Sequence, residues 1–122
     1  MRISGAESVV MKALWRIESG TAEEIAAAIE ADRDWSIATI KTLLNRLLTK
    51  KAVTAVMHGR RYLYAPRLKE TDYVQEESRG LLDRLFGGKV APLVSHFAET
   101  KQLSAEDIAE LKRLIAELDD DA

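Results

Sequence analysis

The sequence predicts a mainly α-helical protein with one small β-hairpin, ordered as a winged helix-turn-helix followed by a C-terminal helical dimerisation module. Three observations predict this fold. Amphipathic helical patterns with N-cap signals precede residue 51, a period of two spans residues 53–65, and helical patterns return after Pro66. We therefore expect residues 1–67 to form the winged-helix domain and residues 68–122 to form the dimerisation module.

The first two helices carry the same start signal. Ser4 stands three residues before Glu7, and Thr21 stands three residues before Glu24. This is the capping-box spacing, in which the hydroxyl and the carboxylate each accept a bond from a backbone N–H. The apolar faces that follow are Val9, Val10, Ala13, Leu14 and Ile17 in the first helix, and Ile25, Ala28 and Ile29 in the second.

The third helix is predicted to start after the N-cap Ser36 and to run to about Lys51. Its buried side recurs with a period near 3.6 residues and consists of Ile37, Ile40, Leu43, Leu44, Leu47 and Leu48. The opposite face is centred on Ala38, Thr42, Asn45 and Thr49, with Thr39, Lys41 and Arg46 beside it. That face has no acidic residue and no bulky apolar residue.

The period then changes to two. In residues 53–57 and 61–65, apolar and polar side chains follow a period of two on either side of His58-Gly59-Arg60. This pattern predicts two strands joined by a tight turn, and Pro66 ends the second strand. Three short helices and a hairpin within 66 residues are typical of a winged helix-turn-helix.

Helical patterns return in residues 67–122. We expect a fourth helix that ends at Gly87-Gly88, a short fifth helix with Pro92 in its first turn, and a sixth helix capped by Ser104 and Asp107. These helices are too few to bury their own apolar faces, so we expect a second copy of the chain to cover them. The predicted dimerisation residues are Val74, Leu81, Leu82, Leu85, Phe86, Leu93, Val94, Phe97, Ile108, Leu111, Leu114 and Ile115.

The charge is unevenly distributed although the net charge is only −2. Residues 1–66 carry 10 Lys and Arg against 7 Asp and Glu, whereas residues 67–122 carry 8 against 13. From residue 35 to residue 69 there are eight Lys and Arg and no acid. Solvated helix faces normally mix Glu with Lys, so this acid-free interval favours a local anionic partner over a plain solvated face.

Double-stranded DNA is the predicted partner. The major groove, about 12 Å wide, accepts one α-helix, and its base edges suit small hydroxyl, Asn and basic side chains. Asn45 can pair with adenine, and Lys41 and Arg46 can reach guanine or phosphate oxygens, while the hairpin tip can contact the DNA backbone or the minor groove. The predicted DNA-binding residues are Ala38, Thr39, Lys41, Thr42, Asn45, Arg46, Lys50, Arg60 and Arg61.

Enzyme, metal and membrane functions find little support in the sequence. Cysteine is absent, the two histidines are isolated, and no nucleophile, phosphate-loop or zinc motif occurs, so we expect no catalytic residue, no metal and no cofactor. No apolar run approaches the ~20 residues of a membrane span, so we expect a cytoplasmic protein that is not embedded in a membrane. Trp15 and Trp35 are expected to pack at the edge of the winged-helix core.

An ordered series of segments resembles the penicillinase-repressor family (BlaI/MecI, related to the copper-responsive CopY repressors). The resemblance covers residues 3 to about 118, and its segments are Ile3-Ser4-Gly5-Ala6-Glu7, Val10-Met11-Lys12-Ala13-Leu14-Trp15, Trp35-Ser36, Thr39-Ile40-Lys41-Thr42-Leu43-Leu44-Asn45-Arg46-Leu47, Tyr62-Leu63-Tyr64-Ala65-Pro66 and Phe86-Gly87-Gly88. The resemblance implies a homodimeric repressor that binds dyad-symmetric operator DNA with its third helix in the major groove.

The resemblance also implies a mode of induction. In some members a membrane sensor with a metalloprotease domain triggers cleavage of the repressor before a Phe, and the matching bond here is His96–Phe97. Two positions depart from the family pattern: Ala52 stands where the family usually has Gly, and His96 stands where inducible members tend to have Asn. The cysteines of the copper-responsive branch are absent.

Two alternatives remain open from the sequence. A winged helix can serve as a protein-interaction adaptor whose basic face binds an acidic partner. A repressor can also be released by a directly bound small ligand instead of by proteolysis.

Overall fold

The computed structural model describes residues 2–29 and 33–120, which form six helices and one two-stranded antiparallel sheet. The predicted mainly α-helical fold class with a β-hairpin is confirmed. In chain order the elements are α1 Gly5–Ile17, α2 Ala22–Ala28, α3 Ile37–Thr49, β1 Val53–His58, β2 Arg61–Pro66, α4 Glu70–Leu85, α5 Val90–Glu99 and α6 Ala105–Asp120.

The predicted helix starts are confirmed by their hydrogen bonds. The Ser4 N–H donates to Glu7 Oε1 at 2.9 Å and the Glu7 N–H donates to Ser4 Oγ at 3.1 Å. Thr21 and Glu24 repeat this reciprocal pair at 2.9 and 3.2 Å. Each capping box satisfies two of the backbone N–H groups that a helix start leaves without an intrahelical partner.

A residue in the left-handed conformation closes the end of α3. The left-handed residue is Lys51, with φ of 64°, and not Ala52, the position where the family usually has glycine. The Lys51 N–H donates to the Leu48 carbonyl at 3.0 Å and the Ala52 N–H donates to the Leu47 carbonyl at 2.9 Å. These two bonds form a Schellman motif, in which the residue before the second donor adopts the left-handed conformation. Ala52 is therefore free of that strain and is fully buried.

The apolar core lies within the first three helices and the hairpin. The predicted stripe of α3 is confirmed at its centre, since Ile40, Leu43, Leu44 and Leu47 are buried. The complete buried apolar set is Ile3, Val10, Met11, Ala13, Leu14, Ala22, Ile25, Ile29, Ile40, Leu43, Leu44, Leu47, Ala52, Val53 and Tyr64. Trp35 packs partly buried against this core, as expected.

The hairpin is held against the helices by backbone bonds. Its strands pair from Val53↔Pro66 to His58↔Arg61, which leaves a two-residue turn whose first residue, Gly59, has a φ of +67°. Glycine at the first central position suits a tight hairpin turn. Gly20, in the turn before α2, forms a β-bridge with Tyr64, with N···O distances of 3.0 and 2.8 Å.

The chain divides into two compact units, Met1–Gln75 and Glu76–Ala122. The first unit extends past the hairpin because the following residues are bound to it. The Trp15 indole N–H donates to the Leu68 carbonyl at 2.8 Å, and the Trp15 and Tyr73 rings lie 5.5 Å apart.

The second unit consists of the rest of α4 with α5 and α6. None of these three helices contains a buried residue among those described. The predicted cap of α6 is confirmed, because the Ser104 N–H donates to Asp107 Oδ2 at 3.1 Å and the Asp107 N–H donates to Ser104 Oγ at 3.0 Å.

Candidate nucleic-acid interface

The outward face of α3 presents every side chain that the sequence assigned to it. These exposed residues are Ala38, Thr39, Lys41, Thr42, Asn45 and Arg46. The face stays outward because the opposite stripe of the same helix is buried in the core. A rigid helix that is anchored on one side and polar on the other can enter a DNA groove without rearrangement.

The hydroxyl groups on this face are oriented by the helix itself. Thr42 Oγ1 donates to the Ala38 carbonyl at 3.0 Å, and Thr49 Oγ1 donates to the Asn45 carbonyl at 3.1 Å. Because the hydroxyl proton is used within the helix, Thr42 presents its oxygen as an acceptor together with its methyl group. An acceptor beside a methyl group matches the N4 amino donor of cytosine or the methyl group of thymine.

A second group of cations lies at the tip of the hairpin. Arg60 and Arg61 are both exposed. They line one surface groove together with the first turn of α2, one residue of α3 and two residues of β2. We call this the wing groove; it encloses about 250 Å³ and is lined by Ala22, Glu23, Lys41, Arg60, Arg61, Tyr62 and Tyr64. The fold thus brings Lys41 together with the two arginines, although about twenty positions separate them in the chain.

Lys50 is placed differently from the other predicted DNA-binding residues. Its ammonium donates to Glu7 Oε1 at 2.5 Å and to the Arg2 carbonyl at 2.7 Å. Glu7 is 1% exposed and Lys50 is 35% exposed, so the pair closes the end of α3 onto the start of α1. We therefore leave Lys50 out of the DNA-contacting set, because its charge is already engaged within the fold.

Glu7 is the buried acid that this pair depends on. Burial would raise the pKa of Glu7, but the bonds from Lys50 and from the backbone and hydroxyl of Ser4 hold that pKa below its ordinary value of 4.5. Glu7 Oε1 accepts both the Lys50 and the Ser4 N–H bonds, whereas Oε2 is buried without a hydrogen-bond partner among the described residues.

The predicted dimerisation residues carry much exposed apolar surface in the second half of the chain. Val74 is 52% exposed, Leu85 66% and Ile115 57%. Leu81, Ile108 and Leu114 are also exposed, whereas Leu82, Phe86, Leu93, Val94, Phe97 and Leu111 are partly buried.

The predicted cleavage bond lies inside a helix. His96 and Phe97 belong to α5, and the His96 carbonyl accepts bonds from the N–H and the hydroxyl of Thr100, each at 3.1 Å. The His96 ring lies 6.0 Å from the Phe86 ring and 5.4 Å from the Phe97 ring. The bond is therefore held in regular helical geometry.

Two features that the sequence left unidentified belong to the candidate site. The Glu7–Lys50 pair joins residues 43 positions apart, and no local spacing indicates it. The wing groove is also lined by Glu23, Tyr62 and Tyr64. The alternating pattern of the second strand places the two tyrosines on one face of the hairpin, but nothing in the sequence indicates that Glu23 lies beside them.

No group of three metal-ligating side chains occurs in the described part of the chain. Within the same residues, no helix combines the length and the apolar character that crossing a membrane requires.

Residues 3–117 match the family described as penicillinase repressor. A penicillinase repressor of Bacillus licheniformis is 36% identical over 116 residues, which cover 95% of this chain and 91% of the relative.

Two solved structures resemble the N-terminal part of the chain. The DNA-binding domain of the repressor BlaI superimposes with a TM-score of 0.53 at 38% identity, covering 59% of this chain and 88% of that domain. Monomeric BlaI from Bacillus licheniformis, solved in complex with the blaP half-operator, gives a TM-score of 0.51 at 37% identity, covering 60% of this chain and 89% of that chain.

Proposed function

Because the chain belongs to the penicillinase repressor family, we propose that it is a transcriptional repressor whose winged helix binds operator DNA. The family consists of DNA-binding repressors and not of enzymes, so the protein acts by occupying DNA. Such a repressor acts on chromosomal DNA, which gives the cytoplasm as its proposed location. The observation that carries the proposal is the exposed, acid-free face of α3 beside the cationic hairpin tip.

The proposed contact places α3 in the major groove. Asn45 is the side chain suited to a bidentate bond with adenine, while Lys41 and Arg46 are suited to guanine acceptors or phosphate oxygens. Ala38, Thr39 and Thr42 are small enough to let the helix approach the base edges. Arg60 and Arg61 contact the DNA backbone beside the major groove, or enter the adjacent minor groove.

A homodimer is the second part of the proposal. The apolar side chains of α4, α5 and α6 include several that are more than half exposed, and a second copy of the chain would cover them. Two copies related by a two-fold axis present two identical α3 helices, which fits an operator of two dyad-related half-sites. We propose that dimerisation lies within residues 68–122 and DNA binding within residues 1–67. Residues 68–75 nevertheless pack with the first compact unit, so the covered apolar surface begins after Gln75 for most of α4.

Proteolytic release is the third part, with a membrane sensor-protease as the proposed partner. Cleavage at the His96–Phe97 bond would cut the dimerisation module. The two winged helices would then bind their half-sites independently, and the affinity for the operator would fall because neither raises the effective concentration of the other. The helical geometry of α5 adds a requirement: the helix around the His96–Phe97 bond must unwind before a protease can bind it. A fragment ending at His96 during induction supports this part; an intact chain throughout induction contradicts it and favours release by a small ligand.

Fluorescence anisotropy with the upstream region of the protein's own gene tests DNA binding. We expect a Kd of roughly 10⁻⁸ M or tighter that weakens steeply with salt. Lys41→Ala and Arg46→Ala should weaken binding, and Thr42→Ala should change base preference. Lys12→Ala, which removes an exposed cation from α1, is the matched control and should change binding little. If the three variants of the α3 face all bind DNA like the wild type, the basic face serves another partner, as in a protein-interaction adaptor.

A further inference from the structure

The wing groove has walls that the backbone fixes in place. Tyr64 of β2 is joined by two backbone hydrogen bonds to Gly20, which lies two residues before the start of α2. The capping box of Thr21 and Glu24 then sets the direction of α2. The backbone frame of the groove is therefore fixed before a ligand binds, while the exposed side chains of Lys41, Arg60 and Arg61 adjust to it.

Its lining suits a single phosphate group. Lys41, Arg60 and Arg61 supply three positive charges, and Tyr62 and Tyr64 supply hydroxyl donors. Burial, with smaller effects from Tyr62 and Glu23, raises the pKa of Tyr64, so its phenol keeps its proton at neutral pH. Cations and neutral hydroxyl groups are the usual contacts to phosphate oxygens in protein–DNA complexes.

Glu23 is the exception in this lining. The other acid in the first turn of α2, Glu24, accepts the Thr21 N–H and completes the capping box. The Glu23 side chain is exposed, and within residues 2–29 and 33–120 it accepts no hydrogen bond and forms no ion pair. Its negative charge is favourable beside the N-terminus of α2, but it repels an anion that enters the groove it lines.

We propose that the wing groove receives one backbone phosphate of the operator and that Glu23 limits the affinity of this seat by repelling it. The inference rests on the proposed DNA-binding function and adds a device to it. Because phosphates are the same in every sequence, the repulsion lowers affinity for all duplexes and leaves base preference unchanged. The repressor then binds with less than the affinity that its cations alone would allow.

The test measures Kd for Glu23→Gln by fluorescence anisotropy on the full chain, with an operator duplex and an unrelated duplex of equal length. Removing one surface charge repulsion should lower Kd roughly two- to five-fold. The fold-decrease in Kd should be the same for the operator duplex and for the unrelated duplex. The slope of log K against log salt should become steeper by up to about 0.9, the value for one more neutralised phosphate.

Glu70→Gln is the matched control. Glu70 also lies in the first turn of a helix, so its loss changes the net charge and the helix terminus in the same way, but it does not line the groove. A gain for Glu23→Gln well above that for Glu70→Gln supports the proposal. The proposal is overturned if the two variants change Kd equally, if Glu23→Gln binds DNA more weakly than the wild type, or if its affinity rises on the operator duplex alone. In each of these cases, tight DNA binding by the wild type leaves the proposed function intact. If the wild type binds neither duplex, both proposals fail.

Discussion

Replacing Lys51 by glycine should stabilise the winged-helix unit. Lys51 has a φ of 64°, a left-handed conformation in which the Cβ atom of an L-residue crowds the following carbonyl. It keeps this conformation because the Schellman bonds of the Lys51 and Ala52 N–H groups close the end of α3. The Lys51 side chain is exposed. Within the described part of the chain it forms no hydrogen bond or ion pair that a glycine would lose.

The magnitude follows from two opposing terms. A left-handed non-glycine residue costs about 1–2 kcal/mol relative to glycine. Glycine has more conformational freedom in the unfolded chain, and ordering it costs roughly 0.5–1 kcal/mol. We therefore expect the free energy of unfolding to rise by about 0.5–1 kcal/mol, within the range seen for compatible glycine and proline changes.

Urea unfolding followed by circular dichroism measures this change. Lys51→Ala is the matched control, because it removes the same charge and side chain but keeps the Cβ atom, and it should bring no gain. Ala52→Gly should lower stability, since Ala52 is fully buried and its backbone is not left-handed. If Lys51→Gly is no more stable than Lys51→Ala, the strain assigned to this position does not exist.

Two further predictions concern the buried Glu7–Lys50 pair and the proposed dimer. Glu7→Gln should lower the free energy of unfolding by about 1–3 kcal/mol at neutral pH, because Lys50 loses its charged acceptor. The folded-state pKa of Glu7 lies below its ordinary value of 4.5. The stability difference between wild type and Glu7→Gln should therefore be complete above pH 4.5 and shrink as the pH falls through the folded-state pKa. A stability difference that does not change with pH would contradict the role assigned to the Glu7 carboxylate. Ile115→Glu, on the exposed apolar face of α6, should convert the proposed dimer to a monomer in sedimentation equilibrium, whereas Glu106→Gln in the same helix should not. A dimer that persists in Ile115→Glu would exclude this face from the interface.

The local parts of the fold could be predicted because their signals are short in sequence. The capping boxes at Ser4 and Thr21 need residues three apart, and the stripe of α3 repeats every three or four residues. The turn at Gly59 stands between two alternating runs. Each of these signals reports directly on backbone geometry, so the helix starts and the hairpin follow from the sequence.

The long-range parts could not be predicted in this way. Trp15 donates to the carbonyl of a residue 53 positions later, and Lys50 pairs with an acid 43 positions earlier. A lysine near the end of a basic helix has the same sequence signature whether it faces DNA or folds back on a buried carboxylate. Only the packing of α1 against α3 decides between these two outcomes.

The end of α3 shows a subtler difficulty. The family pattern draws attention to Ala52, yet the left-handed residue is its neighbour Lys51. The hydrogen bonds that close a helix decide which residue becomes left-handed. If the helix ended one residue later, the backbone strain would move by one residue as well. The wing groove is likewise a product of three elements, and Glu23 becomes visible as part of it only once they are assembled.

Amide chemical-shift mapping with an operator duplex tests the central claim most directly. On titration with the duplex, the largest changes should fall on the outward residues of α3, from Ala38 to Arg46, and on the hairpin turn. Residues of α6 should change little. Shifts that cluster on α6, or an α3 face that stays unchanged at saturating DNA, would contradict the claim that this helix reads the operator.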